Sequence, residues 1–184
     1  MKKYHKDYEF DTTASESNNK ERKYHYTGDY YSFPIESIGK NKIFIKNLFF
    51  LIAYFLLFIL SGLLNNVGSR NFFIALPYVF LFLPIAYLSM GTFSVLRMEE
   101  KMERVVYDKS LGRMYRSCIG IVGISLYLWI ADAICFFMHF RRGTELIILD
   151  EVVFLFGFIA IFCTSIFHKK YLQNLKKKVM IGKV

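Results

Sequence analysis

Four long apolar blocks dominate the chain and determine its predicted architecture. They cover residues 43–64, 72–96, 118–140 and 146–167. About 20 residues in a helix, at a rise of 1.5 Å each, span roughly 30 Å, which is the thickness of a bilayer's hydrocarbon core. Backbone groups in lipid must form hydrogen bonds within their own segment. Each block is therefore predicted to be a transmembrane helix.

The composition agrees with four spans and argues against a soluble core. Of the 184 residues, 54% are hydrophobic and only 21% are charged. A soluble domain rarely contains even one apolar run of about 18 residues. We therefore predict an all-α fold, a polytopic membrane protein with four transmembrane helices. The short connections at residues 65–71 and 141–145 predict that these helices form two antiparallel hairpins.

The basic residues predict the orientation of the bundle. The net charge is +9, and all Lys and Arg residues except Arg70, Arg141 and Arg142 belong to one side of the predicted topology. Loops rich in Lys and Arg stay in the cytoplasm, so both termini are expected there. Many Lys, Ile, Asn, Phe and Tyr residues are typical of an AT-rich genome. On that basis we expect a multi-pass protein of a bacterial plasma membrane.

Two segments outside the spans leave alternatives open. Residues 1–42 are rich in charged, Ser, Asn and Tyr residues and are predicted to be a largely disordered cytoplasmic tail. Their tyrosines suit either anchoring at the membrane interface or a binding segment. The connection at residues 97–117 has helical patterning at both ends. It fits either a helix along the membrane surface or spans that protrude into the cytosol.

The C-terminal tail, residues 168–184, is basic and contains no acidic residue. Each lysine near an anionic membrane surface is worth on the order of 1 kcal/mol. We therefore expect the tail to contact anionic lipid on the cytoplasmic face and not to bind nucleic acid. The predicted membrane-surface residues are Lys169, Lys170, Lys176, Lys177 and Lys178.

Acidic residues inside the predicted spans are the strongest candidates for chemistry. Asp132 lies about 12 Å from the outer end of the third span, in a polar stripe that ends at His139. Asp150 and Glu151 enter the fourth span from the same side. Because the connection between these spans is short, the three acids are expected to approach one another in a polar notch that opens outward. Acids within spans normally face a partner or water.

Two interpretations of these acids remain. Asp132 is a candidate site for moving a proton or cation, supported by Asp150 or Glu151. Alternatively, it is structural and bonds a neighbouring helix or pairs with Arg141 or Arg142. A metal site has no support from ligand spacing, so neither a metal nor a cofactor is expected. The cysteines, Cys118, Cys135 and Cys163, all lie in the spans and are interpreted as buried small residues.

The sequence also lacks the common catalytic motifs. It contains no GxxxxGK[ST], HExxH or GxSxG pattern, and we do not expect an enzyme. Small residues on the spans, such as Gly120, Gly123 and Gly157, permit close helix contacts. The first functional expectation is a non-catalytic accessory or interaction protein, acting as a homo-oligomer or with a larger membrane partner. The alternative is a small transporter or channel component that uses Asp132.

Overall fold

The computed structural model describes Tyr4 and residues 7–10, 24–34, 39–141 and 148–182. This part of the chain is mostly helical, and four of its helices are long and apolar enough to cross a membrane. They are named in chain order: α1, Lys40–Gly62; α2, Phe72–Ser94; α3, Arg104–Arg141; and α4, Ile148–Lys176. The prediction of four membrane-length helices is confirmed.

The four helices lie side by side around a shared core. Both α1 and α3 contact α2 and α4. The core consists mainly of large apolar side chains, with several polar side chains among them. Its fully buried members include Tyr54, Leu81, Leu88, Met114, Ile121, Phe154 and Phe158. Dense apolar packing of this kind fixes the positions of the polar groups that project into the same core.

The outward faces of the helices are also apolar. On α1, Phe49 is 69% exposed, Ile52 is 50% exposed and Leu56 is 55% exposed. These residues recur at the spacing of one helix face. A continuous exposed apolar face of this size is unusual on a soluble monomer, whereas hydrocarbon solvates it well. The burial pattern therefore fits helices surrounded by lipid.

Two helices are longer than their apolar blocks. α3 begins at Arg104, and α4 continues to Lys176. The additional turns keep one buried apolar face, formed by Leu111, Met114, Leu172 and Leu175. An amphipathic pattern sustains a helix although its other face is charged. In the connection at residues 97–117, α3 is continuous from Arg104 and includes a π-helical turn at Asp108–Gly112.

The described residues include five short strands outside the long helices. They are β1, Tyr8–Phe10; β2, Tyr24–Tyr26; β3, Tyr30–Ser32; β4, Lys101–Glu103; and β5, Met180–Gly182. β1 and β2 pair antiparallel, and a second sheet has the order β4–β3–β5, with both pairings antiparallel. Tyr31 of β3 is opposite Met102 on one side and Ile181 on the other. The second sheet thus joins the N-terminal segment, the α2–α3 connection and the C-terminal segment.

The N-terminal segment also contacts the start of α3 through side chains. The Tyr31 ring stacks on Tyr107, with 4.6 Å between the centroids. The Tyr8 hydroxyl donates to Glu103 at 2.6 Å, and this bond together with burial raises the pKa of Tyr8 to about 12. Phe33 is fully buried, and its backbone N–H donates to the Glu100 carbonyl at 2.8 Å. Where the sequence predicts a largely disordered tail, the described residues are therefore paired and packed.

Candidate functional site

Asp132 lies on the inward face of α3 and is almost completely buried. Its side chain is 1% exposed. Ser125, Leu128 and Cys135 are also buried, at intervals of three and four residues that place them on the same face. The predicted polar stripe is therefore partly realised, although Trp129 is 38% exposed and faces outward.

Glu151 of α4 is the second buried acid at this position. It is 3% exposed, and its Oε1 accepts a hydrogen bond from the backbone N–H of Val67. Glu151 lies close enough to Asp132 for the two carboxyl groups to interact electrostatically. The sequence predicted that the acids of the last two spans approach one another, and the structure brings these two together.

The connection between α1 and α2 covers the two acids. It contains a 3₁₀ turn at Gly68–Arg70, which places Gly68 directly against Asp132. A Cβ atom at Gly68 would collide with Asp132 Oδ1 and would lie 3.2 Å from the Phe154 ring. Any residue with a Cβ here would require the Asp132 carboxyl group or the turn to move. We call Asp132, Glu151, Gly68 and the neighbouring Asn66 the acid site.

Asn66 shapes the covering turn from inside. It is 2% exposed, and its Oδ1 accepts from the Ser69 backbone N–H at 2.6 Å. The Ser69 hydroxyl donates in turn to the Asn66 carbonyl at 2.9 Å. In these bonds the side chains of Asn66 and Ser69 satisfy backbone groups of the same turn, which keeps the turn compact. The acid site is thus covered, whereas the sequence predicted a notch open to water.

Three polar atoms of the acid site have no hydrogen-bond partner within the described part of the chain. They are both carboxylate oxygens of Asp132 and Asn66 Nδ2. An unpaired buried polar group costs about 1–3 kcal/mol, and an unpaired charge costs more. A proton or a small cation bound at Asp132 would reduce that cost. The site therefore has the chemistry of an occluded binding site for positive charge.

The other predicted site residues lie apart from this pair. Asp150 is half-buried. His139 is bonded within its own helix, with Nδ1 2.9 Å from the Cys135 carbonyl. Among the described residues, no three His, Cys, Asp or Glu side chains form a group that could hold a metal ion. Arg141 is exposed and forms no ion pair within the described ranges, and Arg142 lies outside them.

A second buried polar group was not identified from the sequence. His168 of α4 donates from Nε2 to Asn47 Oδ1 of α1 at 2.8 Å, and its Nδ1 lies 3.5 Å from the Cys118 sulfur on α3. Asn47 Nδ2 donates to the Ile43 carbonyl at 2.8 Å, which orients the amide oxygen toward the histidine. The Phe50 ring stacks on His168 at 4.3 Å. This Asn47–His168 cluster connects three helices.

The spacing of Asn47 and His168 from buried apolar residues could have identified the Asn47–His168 cluster in the sequence. Asn47 is four residues after Ile43, and His168 is four residues before Leu172. All four side chains are buried. Asn47 and His168 lie at the ends of apolar blocks, where the sequence suggested boundaries. Extending the inward stripe past those boundaries would have placed both in the core.

The Lys residues predicted to lie at the membrane surface are near the end of α4. Lys169, Lys170 and Lys176 are in α4, and Lys177 and Lys178 are in the turn that follows. Lys176 Nζ lies 4.5 Å from the centre of the Tyr115 ring on α3, an arrangement typical of a cation–π contact.

Comparison with known proteins adds no relative. No protein-family model, no curated protein sequence and no solved structure matches the chain. Among the described residues, the acid site is the leading candidate for a functional site.

Proposed function

We propose that the chain is a multi-pass protein of a bacterial plasma membrane, with two antiparallel helical hairpins and both termini in the cytoplasm. Ring contacts support the first hairpin, because Phe58 stacks on Tyr78 while Phe44 lies against Phe93. The asymmetry of Lys and Arg residues supports the orientation. In this topology the acid site lies in the outer half of the membrane and the second sheet lies in the cytoplasm.

Cysteine labelling tests this orientation. Gly143→Cys is expected to react with a membrane-impermeant maleimide added to intact cells, whereas Gly182→Cys reacts only after permeabilisation. The variants are made in a background in which the three native cysteines are replaced by serine or alanine. The opposite labelling pattern would show that the termini are outside.

For the function, we propose that the acid site binds a proton or a small cation and that the protein is a non-catalytic transporter or channel component. One observation carries this proposal. Asp132 is 1% exposed, yet neither of its carboxylate oxygens has a hydrogen-bond partner among the described residues. Such a group has a strong tendency to take up positive charge, because a buried, unpaired carboxylate is costly.

Two features around Asp132 support the uptake and release of a proton or cation. Glu151 adds a second buried carboxyl group, so the pair favours a positively charged occupant. The covering turn around Gly68 separates the site from the outer surface. Movement of this turn would therefore control access to Asp132. Measurement of proton or cation flux in proteoliposomes, with wild type compared with Asp132→Asn, tests the proposal.

An accessory or interaction role is our second proposal, and a groove on the outward face of α3 favours it. The groove has a volume of about 350 Å³. It is lined by Trp129, Ile130, Ala133, Ile134, Phe137 and Met138. Helices in membranes associate through close packing where a small residue lies between larger ones. Ala133 provides such a position for a helix from a second copy or from a larger membrane partner.

Filling the groove tests the accessory role. Ala133→Phe is expected to abolish the oligomer or the co-purified partner seen with wild type in mild detergent. Val79→Phe is the matched control, because Val79 is 64% exposed on α2, outside the groove. Light scattering and quantitative co-purification give the readout. Strictly monomeric wild type that retrieves no partner would exclude this role.

A further inference from the structure

A cleft between α1 and the end of α4 brings three lysines together. Its volume is about 170 Å³. Lys42 and Lys46 come from α1, and Lys178 comes from the turn after α4. The remaining lining residues are Ile43, Tyr171, Asn174 and Leu175. None of these seven residues is acidic, so among the described residues the lining of the cleft is positively charged and contains no counter-ion.

This arrangement is electrostatically costly for the protein alone. Lys42 and Lys46 are four residues apart on one helix, where like charges repel. Lys178, far away in the sequence, adds a third positive charge to the same cleft. An anion bound between the three ammonium groups would convert this repulsion into attraction.

The walls of the cleft hold the lysines in place. Lys46 Nζ lies 4.3 Å from the centre of the Tyr171 ring, so the ammonium group rests on an aromatic face. The Lys178 backbone N–H donates to the Leu175 carbonyl at 3.1 Å, which orders the turn that carries the third lysine. Ile43 and Leu175 are buried and form part of the wall. The three lysines are themselves exposed, and they surround a concavity whose inner wall is buried.

We propose that the cleft formed by Lys42, Lys46 and Lys178 binds a phosphate group at the cytoplasmic surface of the membrane. A phosphate suits the three lysines because its oxygens accept several charge-assisted hydrogen bonds at once. Two sources offer this chemistry at such a position, the headgroup of an anionic phospholipid and a free phosphate-bearing solute. The proposal concerns one bound anion, beyond the diffuse attraction of a basic tail to lipid, and it is independent of the acid site.

The test uses full-length protein in detergent and in nanodiscs. The cleft variant is Lys42→Gln, Lys46→Gln and Lys178→Gln combined. Its matched control is Arg97→Gln, Lys101→Gln and Lys109→Gln, because these residues are exposed, lie outside the cleft and are not among the lysines predicted to lie at the membrane surface. Both variants lose the same formal charge. Native mass spectrometry measures the binding of phosphatidylglycerol and of phosphatidylcholine, and a competition series adds inorganic phosphate.

Wild type is expected to bind one phosphatidylglycerol molecule saturably and in preference to phosphatidylcholine. The cleft variant is expected to bind it about 100-fold more weakly, because each lysine contributes on the order of 1 kcal/mol. The control variant is expected to bind nearly as tightly as wild type. Displacement by inorganic phosphate would identify a free phosphate-bearing solute as a competing source, and resistance to displacement would assign the site to lipid. The proposal would be overturned if the two variants lost equal affinity for phosphatidylglycerol. It would also be overturned if wild type bound neither phosphatidylglycerol nor inorganic phosphate saturably.

Discussion

Proteoliposomes that contain Asp132→Asn are expected to show no proton or cation flux above that of protein-free vesicles. Asparagine has nearly the shape of aspartate, but it neither ionises nor exchanges a proton in the working range of pH. A fluorescent pH indicator or a cation-sensitive dye inside the vesicles measures the flux. If the acid site carries the transported charge, removing the carboxyl group removes the function.

The same variant separates loss of function from loss of folding. Asp132 is buried without a hydrogen-bond partner in the described part of the chain, so a neutral amide removes an uncompensated carboxylate. The melting temperature in detergent is therefore expected to stay equal to that of wild type or to rise. Asp150→Asn is the matched control, because Asp150 is half-buried and outside the acid site, and its flux is expected to persist. Undiminished flux in Asp132→Asn would remove this residue from the mechanism.

Gly68→Ala is expected to destabilise the protein by about 1–3 kcal/mol, the usual cost of forcing an extra methyl group into a packed site. The new Cβ would collide with Asp132 Oδ1, so either the covering turn or the carboxyl group must move. The backbone of Gly68 does not have a positive φ, so lack of space is the cause. Equilibrium unfolding in mixed detergent micelles measures the change.

Two further variants make the Gly68 experiment specific. Gly123→Ala is the control, because a Cβ there meets no atom within 4 Å, and within a helix it is expected to stabilise by about 0.5–1 kcal/mol. Combining Gly68→Ala with Asp132→Ala removes the colliding carboxyl group. The change in unfolding free energy of the double variant is therefore expected to be smaller than the sum of the changes in the two single variants. Strict additivity would mean that the covering turn does not rest on Asp132.

The acid site was partly predictable from the sequence. Asp132 and Glu151 stand out because charged residues are rare in apolar blocks, and a short connection between the last two spans predicts that they approach. Asp150 is adjacent to Glu151, but successive helix residues differ by about 100° in direction, so only one of them faces inward fully. Hydropathy alone does not indicate which one.

The covering turn could not be predicted in the same way. Asn66 and Gly68 lie in a short polar connection that, in the sequence, resembles any exposed loop. The hydrogen bond from Val67 to Glu151 and the contact of Gly68 with Asp132 each join positions more than sixty residues apart. Such contacts depend on the packing of all four helices and leave no local pattern. The change from an open notch to a covered site is therefore a tertiary effect.

The second sheet has a similar explanation. β3, β4 and β5 are three residues long, which is too short for an alternating pattern to indicate strands. Each is paired with a strand from a distant segment. A tail rich in Tyr and charged residues has the composition of a disordered segment. In the structure, β4 and β5 pair with the backbone of β3, and Phe33 is buried.

The sequence by itself determined the four membrane-length helices, because hydrocarbon requires long apolar segments whose backbone bonds are internal. It also identified Asp132, Asp150 and Glu151 as the acids that need an explanation. The tertiary structure alone decided that Asp132 and Glu151 lie against the turn that contains Val67 and Gly68, that Asn47 meets His168, and that Lys42, Lys46 and Lys178 share a cleft. The physical reason is common to all three. Each arrangement is a contact between residues remote in sequence, fixed by helix packing and not by local propensity.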